Sequence, residues 1–133
     1  MIDLRSAMLG HSGFDAALEG IALEEAEDGR ATLTLPVGPR VVNVVGTLHG
    51  GAIATLVDVA GTLAIITGDR EQRAGVTTDL NVSYLSAAPQ GGTVRARARV
   101  LKAGRTLAFV EVDLEDEQGK VLAQGRMTKF MGR

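Results

Sequence analysis

The chain has 133 residues, of which 45% are hydrophobic and only 3% aromatic, so we expect one domain with a core of small aliphatic side chains. Its net charge of -2 gives no electrostatic basis for nucleic acid as the main partner, and the lack of cysteine excludes disulfides, thiolate zinc sites and cysteine nucleophiles. No signal peptide and no apolar run of about 20 residues is evident. We therefore expect a cytoplasmic protein with a single domain over residues 1–133 and no membrane association.

The first half of the chain begins with a short helical segment. Residues 1–18 place apolar side chains at loosely helical spacing, interrupted by Gly10 and Gly13. From Glu19 the pattern changes to short strands, because "RATLTLPV" (30–37) alternates apolar residues with threonine. The preceding "EDG" (27–29) predicts the turn before that strand.

Residues 49–66 are the one long helical candidate. Their apolar positions follow the i, i+3, i+4, i+7 rule and form a stripe that contains Ile53, Leu56, Val57, Ala60, Leu63 and Ala64. Asp58 lies off this stripe, about 140° from Ile53, among small apolar neighbours. A helix that is apolar nearly all round requires cover from a sheet and from a second surface.

Four strand-like segments follow the helix. The segment "TVRARARVL" alternates apolar residues with three arginines; the apolar ones are Val94, Ala96, Ala98 and Val100. In "VTTDLNVSYL", alternation places one set of residues on one face of the strand: Val76, Thr78, Leu80, Val82 and Tyr84. The other face would carry Thr77, Asp79, Asn81 and Ser83. Two further segments, "TLAFVEVDLED" and "GKVLAQGRMTKF", are joined by short polar turns, which predict an antiparallel meander. The expected fold class is α+β, with about five or six strands around one long central helix.

The helix start carries the first candidate site. Gly50 and Gly51 follow His49 at a point where N–H groups are free and the helix dipole is positive, which suits an oxyanion or a carbonyl oxygen. Alternatively, the two glycines simply form a tight strand-to-helix turn, and His49 is a structural hydrogen-bonding residue.

Three polar residues complete the set of candidates. A buried Asp58 would cost several kcal/mol unless it is paired or hydrogen-bonded, so it is either bound to a neighbouring hydroxyl or a partner chain, or a general base or nucleophile in a dry site. Asn43, six residues before His49, could bind a carbonyl, orient a water or cap a turn. Thr77 at a strand start is also explained by strand propensity alone.

The basic residues allow two interpretations. Arg95, Arg97 and Arg99 are most simply the solvent-facing side of a strand. Lys102 and Arg105 flank Gly104 in the turn of "LKAGRTL", where they could contact phosphates or be ordinary turn residues.

These motifs together resemble a known family. Asn43, the "HGG" at 49–51, Asp58 nine residues after the histidine, and "GVTTDLNVSYLSAA" resemble the hotdog-fold acyl-CoA thioesterases of the PaaI-like (phenylacetate-pathway) group. The tail "LKAGRTLAFVEVDLEDEQGKVLAQGRMTKF" fits their last three strands, so that the resemblance covers roughly residues 20–131.

The resemblance implies a curved antiparallel sheet wrapped around one helix, in protomers that pair so that their sheets join. Many members form tetramers as dimers of dimers, with active sites at the dimer interface. A partner protomer would then cover the second apolar side of the helix. No metal and no redox cofactor are implied, since coenzyme A enters as part of the substrate.

The family's residue roles can be transferred to matching positions. Asp58 would be the general base or nucleophile for thioester hydrolysis, working with the "HGG" of the other chain. The Gly51 N–H would polarise the carbonyl, His49 would position that segment, Asn43 would hold the carbonyl or the water, and Thr77 would orient the water. For coenzyme A, the candidate contacts are Gly50, Tyr84, Lys102, Gly104 and Arg105.

The implied activity is hydrolysis of an aryl-acetyl-CoA or a medium- to long-chain acyl-CoA to the free acid and coenzyme A. The main alternative is a non-enzymatic acyl-CoA-binding module, against which the presence of Asp58 counts. An acyl-CoA hydratase of the same fold would need an Asp/His pair that is not found after Asp58. A purely structural oligomer would leave Asn43, His49 and Asp58 unexplained.

Overall fold

The computed structural model describes residues 13–132, which form one six-stranded antiparallel sheet with a single long helix packed on it. The elements are a 3₁₀ turn (Phe14–Ala17), β1 (Ala22–Glu27), β2 (Arg30–Pro36), α1 (Gly50–Gly68), β3 (Val76–Tyr84), β4 (Thr93–Ala103), β5 (Leu107–Glu115) and β6 (Val121–Phe130). The expected α+β class and strand number are confirmed. Of the predicted N-terminal helical segment, only the 3₁₀ turn falls within the described residues.

The order of strands in the sheet is β1-β2-β4-β5-β6-β3. β4, β5 and β6 form the predicted meander, but β3 pairs with β6 and not with the strand that follows it. The prediction of a meander through all four late strands is therefore wrong, because residues 85–92 carry the chain from one side of the sheet to the other. As a result, β1 and β3 are the two edge strands.

The β1–β2 hairpin turns at the predicted position. Asp28 and Gly29 both have positive φ, 48° and 81°, as a two-residue hairpin turn with right-handed strand twist requires. β2 buries Ala31, Leu33 and Leu35, in agreement with the alternation of the sequence.

α1 carries the core against the sheet. Every residue of the predicted apolar stripe is buried, and from residue 59 to residue 66 the helix is buried on all sides. By length and a mean hydropathy of 1.7, Gly50–Gly68 would also suffice to cross a membrane, which is more than the sequence analysis expected. However, 61% of its apolar window is buried inside the domain, as is typical of a core helix. In its first half, Ala54, Thr55 and Asp58 are only half-buried and Gly51 is exposed.

Two glycines permit the close contact of α1 with the sheet. A Cβ on Gly125 of β6 would lie 2.6 Å from Val57 Cγ1, and a Cβ on Gly61 of α1 would lie 2.6 Å from Met127 Cε. The same contacts show that Gly125 and Met127 lie on the helix-facing side of β6.

A β-bulge changes the predicted facing of β3. Thr77 pairs with Lys129 and Asp79 pairs with Thr128, so Thr78 is the extra residue of the bulge. Simple alternation predicted that Thr77 and Leu80 lie on opposite faces. That prediction is wrong, because the bulge returns Thr77 to the side that faces α1, where its hydroxyl contacts Asp58.

The opposite face of the sheet is charged, as predicted for the three arginines of β4. Arg95 pairs with Glu24, Arg97 with Glu115, and Arg99 with Glu111. A concavity of about 530 Å³ lies on this face and is lined mainly by these and other charged side chains. Although it is larger than the clefts beside α1, it lies away from every predicted site residue, and Arg97 and Arg99 of its lining are already paired with carboxylates.

Candidate active site

His49 caps the start of α1. Its Nδ1 accepts a hydrogen bond of 2.8 Å from the Gly51 N–H, as serine or aspartate oxygens do at other helix starts. Because Nδ1 is the acceptor, a neutral His49 carries its proton on Nε2. A Cβ on Gly51 would lie 2.9 Å from Nδ1, so glycine leaves room for the imidazole to fold over the helix.

This cap has a consequence for the predicted carbonyl donor. The Gly51 N–H is occupied by His49 within the chain, whereas the Gly50 N–H has no hydrogen-bond partner among residues 13–132. The Ala52 N–H has no partner among these residues either, so Gly50 and Ala52 provide the free donors at the helix start. Tyr84 donates from its hydroxyl to the Gly50 carbonyl oxygen at 2.9 Å, and thereby ties the end of β3 to the helix start.

Asn43 organises the loop before His49. Its Oδ1 accepts from the N–H groups of Val45 and Thr47, each at 3.1 Å, and its Nδ2 donates to Thr47 Oγ1 at 2.8 Å. Three of the four hydrogen bonds available to an amide are thus used inside the loop. In this chain the amide shapes the approach to His49, and one Nδ2 proton is left for a ligand.

Asp58 lies in the middle of α1, half-buried. Thr77 Oγ1 donates to Asp58 Oδ1 at 2.8 Å, which leaves Oδ2 without a hydrogen bond from the described residues. The sequence analysis allowed a neighbouring hydroxyl as the structural explanation for this carboxylate. Here the hydroxyl orients the carboxylate on the half-buried side of α1.

The charge of Asp58 affects the pKa values of two further titratable groups. Asp15, on the 3₁₀ turn, has a raised pKa because of burial and repulsion by Asp58. Lys129, on β6, has its pKa lowered by burial, while attraction to Asp58 acts in the opposite direction. The sequence analysis named neither residue. Lys129 could have been found as the one charged residue on the inward side of its strand, after Gly125 and Met127.

An apolar cleft of about 260 Å³ opens beside the helix start. Phe14, Ala17 and Leu18 form one wall, and the remaining lining comes from His49, Gly51, Ala52, Thr55 and the segment 40–42. Most of the side chains that line this cleft are apolar. It also contains exposed Arg40, a cation that the sequence analysis did not single out.

The basic turn lies elsewhere. Lys102 and Gly104 line a cleft of about 290 Å³ together with Gly68 and Asp69, at the end of α1. Arg105 is exposed in the same β4–β5 turn but does not line this cleft. Because α1 has 19 residues, the turn is roughly 28 Å along the helix axis from the "HGG" of the same chain.

Comparison with known proteins identifies the family of this chain. Residues 45–123 match the family model described as the thioesterase superfamily. Human acyl-coenzyme A thioesterase 13 is 42% identical over 127 residues, which is 95% of this chain and 90% of that protein.

Two solved structures extend the likeness to the fold. Zebrafish thioesterase superfamily member 2 has a TM-score of 0.91 and 42% identity, covering 97% of this chain and 94% of that one. A mutant of the phenylacetic acid degradation protein PaaI from Thermus thermophilus has a TM-score of 0.79 and 29% identity, covering 88% and 96%. The chain belongs to the thioesterase superfamily, and its fold is the hotdog fold.

Proposed function

We propose that this protein is an acyl-CoA thioesterase, which hydrolyses the thioester of an acyl-CoA to a free acid and coenzyme A. The observation that carries the proposal is the half-buried Asp58 carboxylate, oriented by Thr77 at 2.8 Å in an otherwise apolar helix. Its membership of the superfamily and its 42% identity to an acyl-coenzyme A thioesterase support this reaction.

In this mechanism, Asp58 takes a proton from water while the water oxygen bonds to the carbonyl carbon. The Gly50 N–H stabilises the negative charge that develops on the carbonyl oxygen, and the His49 cap holds the helix start in place. The carbon–sulfur bond then breaks, and the coenzyme A thiolate leaves and takes up a proton. Direct attack by Asp58, which forms an anhydride that water then opens, uses the same residues.

The site requires two chains. Gly50 and Asp58 are eight residues apart on one helix, about 12 Å along its axis, so both cannot contact one thioester group. The Gly50 of one protomer therefore works with the Asp58 of its partner. β3 supports such pairing, because it is a nine-residue edge strand without proline and presents unpaired backbone groups.

The quaternary state follows from this proposal. Two protomers join their sheets through β3, and a dimer of dimers is the proposed assembly. The cleft of about 260 Å³ beside the helix start would hold apolar parts of the substrate, either an aryl-acetyl or a medium- to long-chain acyl group. Arg40 at that cleft and the Lys102–Arg105 turn are the candidate phosphate contacts.

Thiol release from a panel of aryl-acetyl and straight-chain acyl-CoAs tests this function directly. We expect turnover of at least one substrate, and a fall in kcat of about 10²-fold or more in Asp58→Asn, as for loss of a positioned acid–base group. The control is Asp113→Asn, since Asp113 contacts Gln124 on the other face of the sheet. Tight acyl-CoA binding without turnover would instead indicate a non-enzymatic binding module.

A further inference from the structure

Lys129 is the one charged side chain that is buried among residues 13–132, with 5% of its surface exposed. It lies on β6 two residues after Met127, which packs against α1, so strand alternation points Lys129 to the same side. Its ammonium forms no hydrogen bond or ion pair with any described residue. No fully buried side-chain nitrogen or oxygen among the described residues lacks a hydrogen-bond partner, so the ammonium at the end of the buried stem still reaches solvent. A methionine of similar length would fill the space of the stem without placing a charge there, whose partial burial costs free energy.

The register places this lysine at the candidate site. Lys129 is directly opposite Thr77 in the β3–β6 pair, and Thr77 donates to Asp58 Oδ1 at 2.8 Å. Residues opposite each other on antiparallel strands have Cβ atoms only about 5 Å apart, so the lysine stem emerges next to the threonine that holds the carboxylate. The bulge at Thr78 is what brings both side chains to the face of α1.

The charges around Asp58 are few. Asp58 is the only titratable residue on α1, β3 contributes the uncharged Thr77, and the inward residues of β5 are apolar. The 3₁₀ turn contributes Asp15, whose own pKa is raised by burial and by the negative charge of Asp58. Lys129 therefore supplies a positive charge that attracts Asp58, whereas Asp15 supplies a negative charge that repels it.

We propose that Lys129 is a positioning residue which keeps Asp58 ionised through its positive charge, while Thr77 fixes the orientation of the carboxylate. This proposal rests on the thioesterase function for its kinetic consequence but not for its electrostatic one. A lysine that acts only through packing could be replaced by methionine without any change in the titration of Asp58.

Lys129→Met removes the charge and keeps the length of the side chain. We expect the acid limb of the kcat/KM profile to move to higher pH by about one unit, so that activity on the acid side falls about 10-fold. KM for the acyl-CoA should be little changed, and Tm should be equal or higher because a partly desolvated charge is removed. Lys129→Arg, which keeps the charge, should restore the acid limb at least in part.

Arg126→Met is the matched control. It removes one positive charge from the same strand, but on the exposed face opposite Glu111, and it should leave the pH profile unchanged. An unchanged acid limb in Lys129→Met would overturn the proposal. So would a loss of activity that is uniform with pH and accompanied by a lower Tm.

The carboxyl ¹³C shift of Asp58, followed against pH by NMR, separates this proposal from the proposed function. Its midpoint should rise in Lys129→Met and stay near the wild-type value in Lys129→Arg, whether or not the wild-type protein hydrolyses any acyl-CoA. An unmoved midpoint would refute the role of Lys129 even in an active enzyme. If Lys129→Met does not fold, Lys129→Gln provides the same comparison.

Discussion

At the scale of single residues, the contact between Thr77 and Asp58 joins the edge strand to the central helix. The hydroxyl occupies Oδ1 and leaves Oδ2 available to a water or to a carbonyl carbon. A carboxylate with one oxygen fixed has fewer orientations to lose when substrate binds, so geometry contributes to its reactivity. The neighbouring Thr78, by contrast, turns its hydroxyl to the Thr128 carbonyl on the exposed face.

Thr77→Val should therefore lower kcat about 10-fold while changing Tm only slightly, because the substitution keeps the shape and removes one hydrogen bond. Steady-state thiol release with thermal melts would measure both quantities. Thr78→Val is the control and should behave like the wild-type protein. Equal effects from the two variants would show that Thr77 has no special relation to Asp58.

At the scale of elements, the end of α1 is held in place by the ion pair between Asp69 and Arg73 and its hydrogen bonds, here called the clasp. The Asp69 carboxylate accepts from the Glu71 and Arg73 N–H groups and from the Arg73 guanidinium, which also donates to the Met131 carbonyl. Through the bond from Arg73 to Met131, the clasp fixes the loop between α1 and β3 against the segment that follows β6. Hydrogen bonding from Arg73 holds the pKa of Asp69 below its ordinary value of 3.8, although burial acts in the opposite direction.

Asp69→Asn should lower Tm by a few degrees at pH 7. Since the pKa of Asp69 is depressed in the folded state, its ionised form stabilises the protein above the ordinary value of 3.8. That stabilisation is lost as pH falls through the folded-state pKa, so the difference in Tm between variant and wild type should shrink in acid. Thermal melts from pH 7 to pH 3 would show this, with exposed Glu19→Gln, which lies outside the clasp, as control. A difference that is constant with pH would contradict an ionic origin.

The sequence alone predicted the elements whose side chains alternate cleanly. β2 and β4 agree with their apolar patterns because one face of each is buried, and the apolar stripe of α1 is buried as predicted. β1 was not delimited, since "ALEEAE" has no β-branched residue and becomes a strand only through pairing with β2. The bulge at Thr78 and the pairing of β3 with β6 depend on contacts between residues far apart in the sequence. The local alternation of apolar and polar residues therefore does not reveal them.

The same limit applies to the candidate site. Asp58 and His49 were evident because a polar residue in an apolar segment is conspicuous. Thr77 was proposed from the family resemblance, while the alternation of its strand placed it on the wrong face. Lys129 was missed because its meaning depends on a register that pairs it with a residue 52 positions earlier in the chain.

At the scale of the whole molecule, the proposed site is shared between protomers across the β3 edge. Each dimer would contain two such sites related by two-fold symmetry, each with the helix start of one chain and the Asp58 of the other. A chain with a defective helix start can then still supply Asp58 to its partner.

Mixing two inactive variants tests this arrangement. Gly50→Pro removes the free N–H at the first helical position, where proline is tolerated, and Asp58→Asn removes the carboxylate. After subunit exchange, half of the dimers are mixed and each has one intact site, so about a quarter of wild-type activity should return. The control is each variant exchanged with itself, which should stay inactive. If no activity returns although mixed dimers form, each site belongs to one chain.

The contact between Val57 and Gly125 constrains the order in which substitutions at these two positions can occur during evolution. A Cβ at position 125 would lie 2.6 and 2.8 Å from the two methyl carbons of Val57, on a branched side chain with little freedom to move aside. The two positions are therefore epistatic. A lineage of such proteins can acquire a side chain at position 125 only after a smaller residue has appeared at position 57.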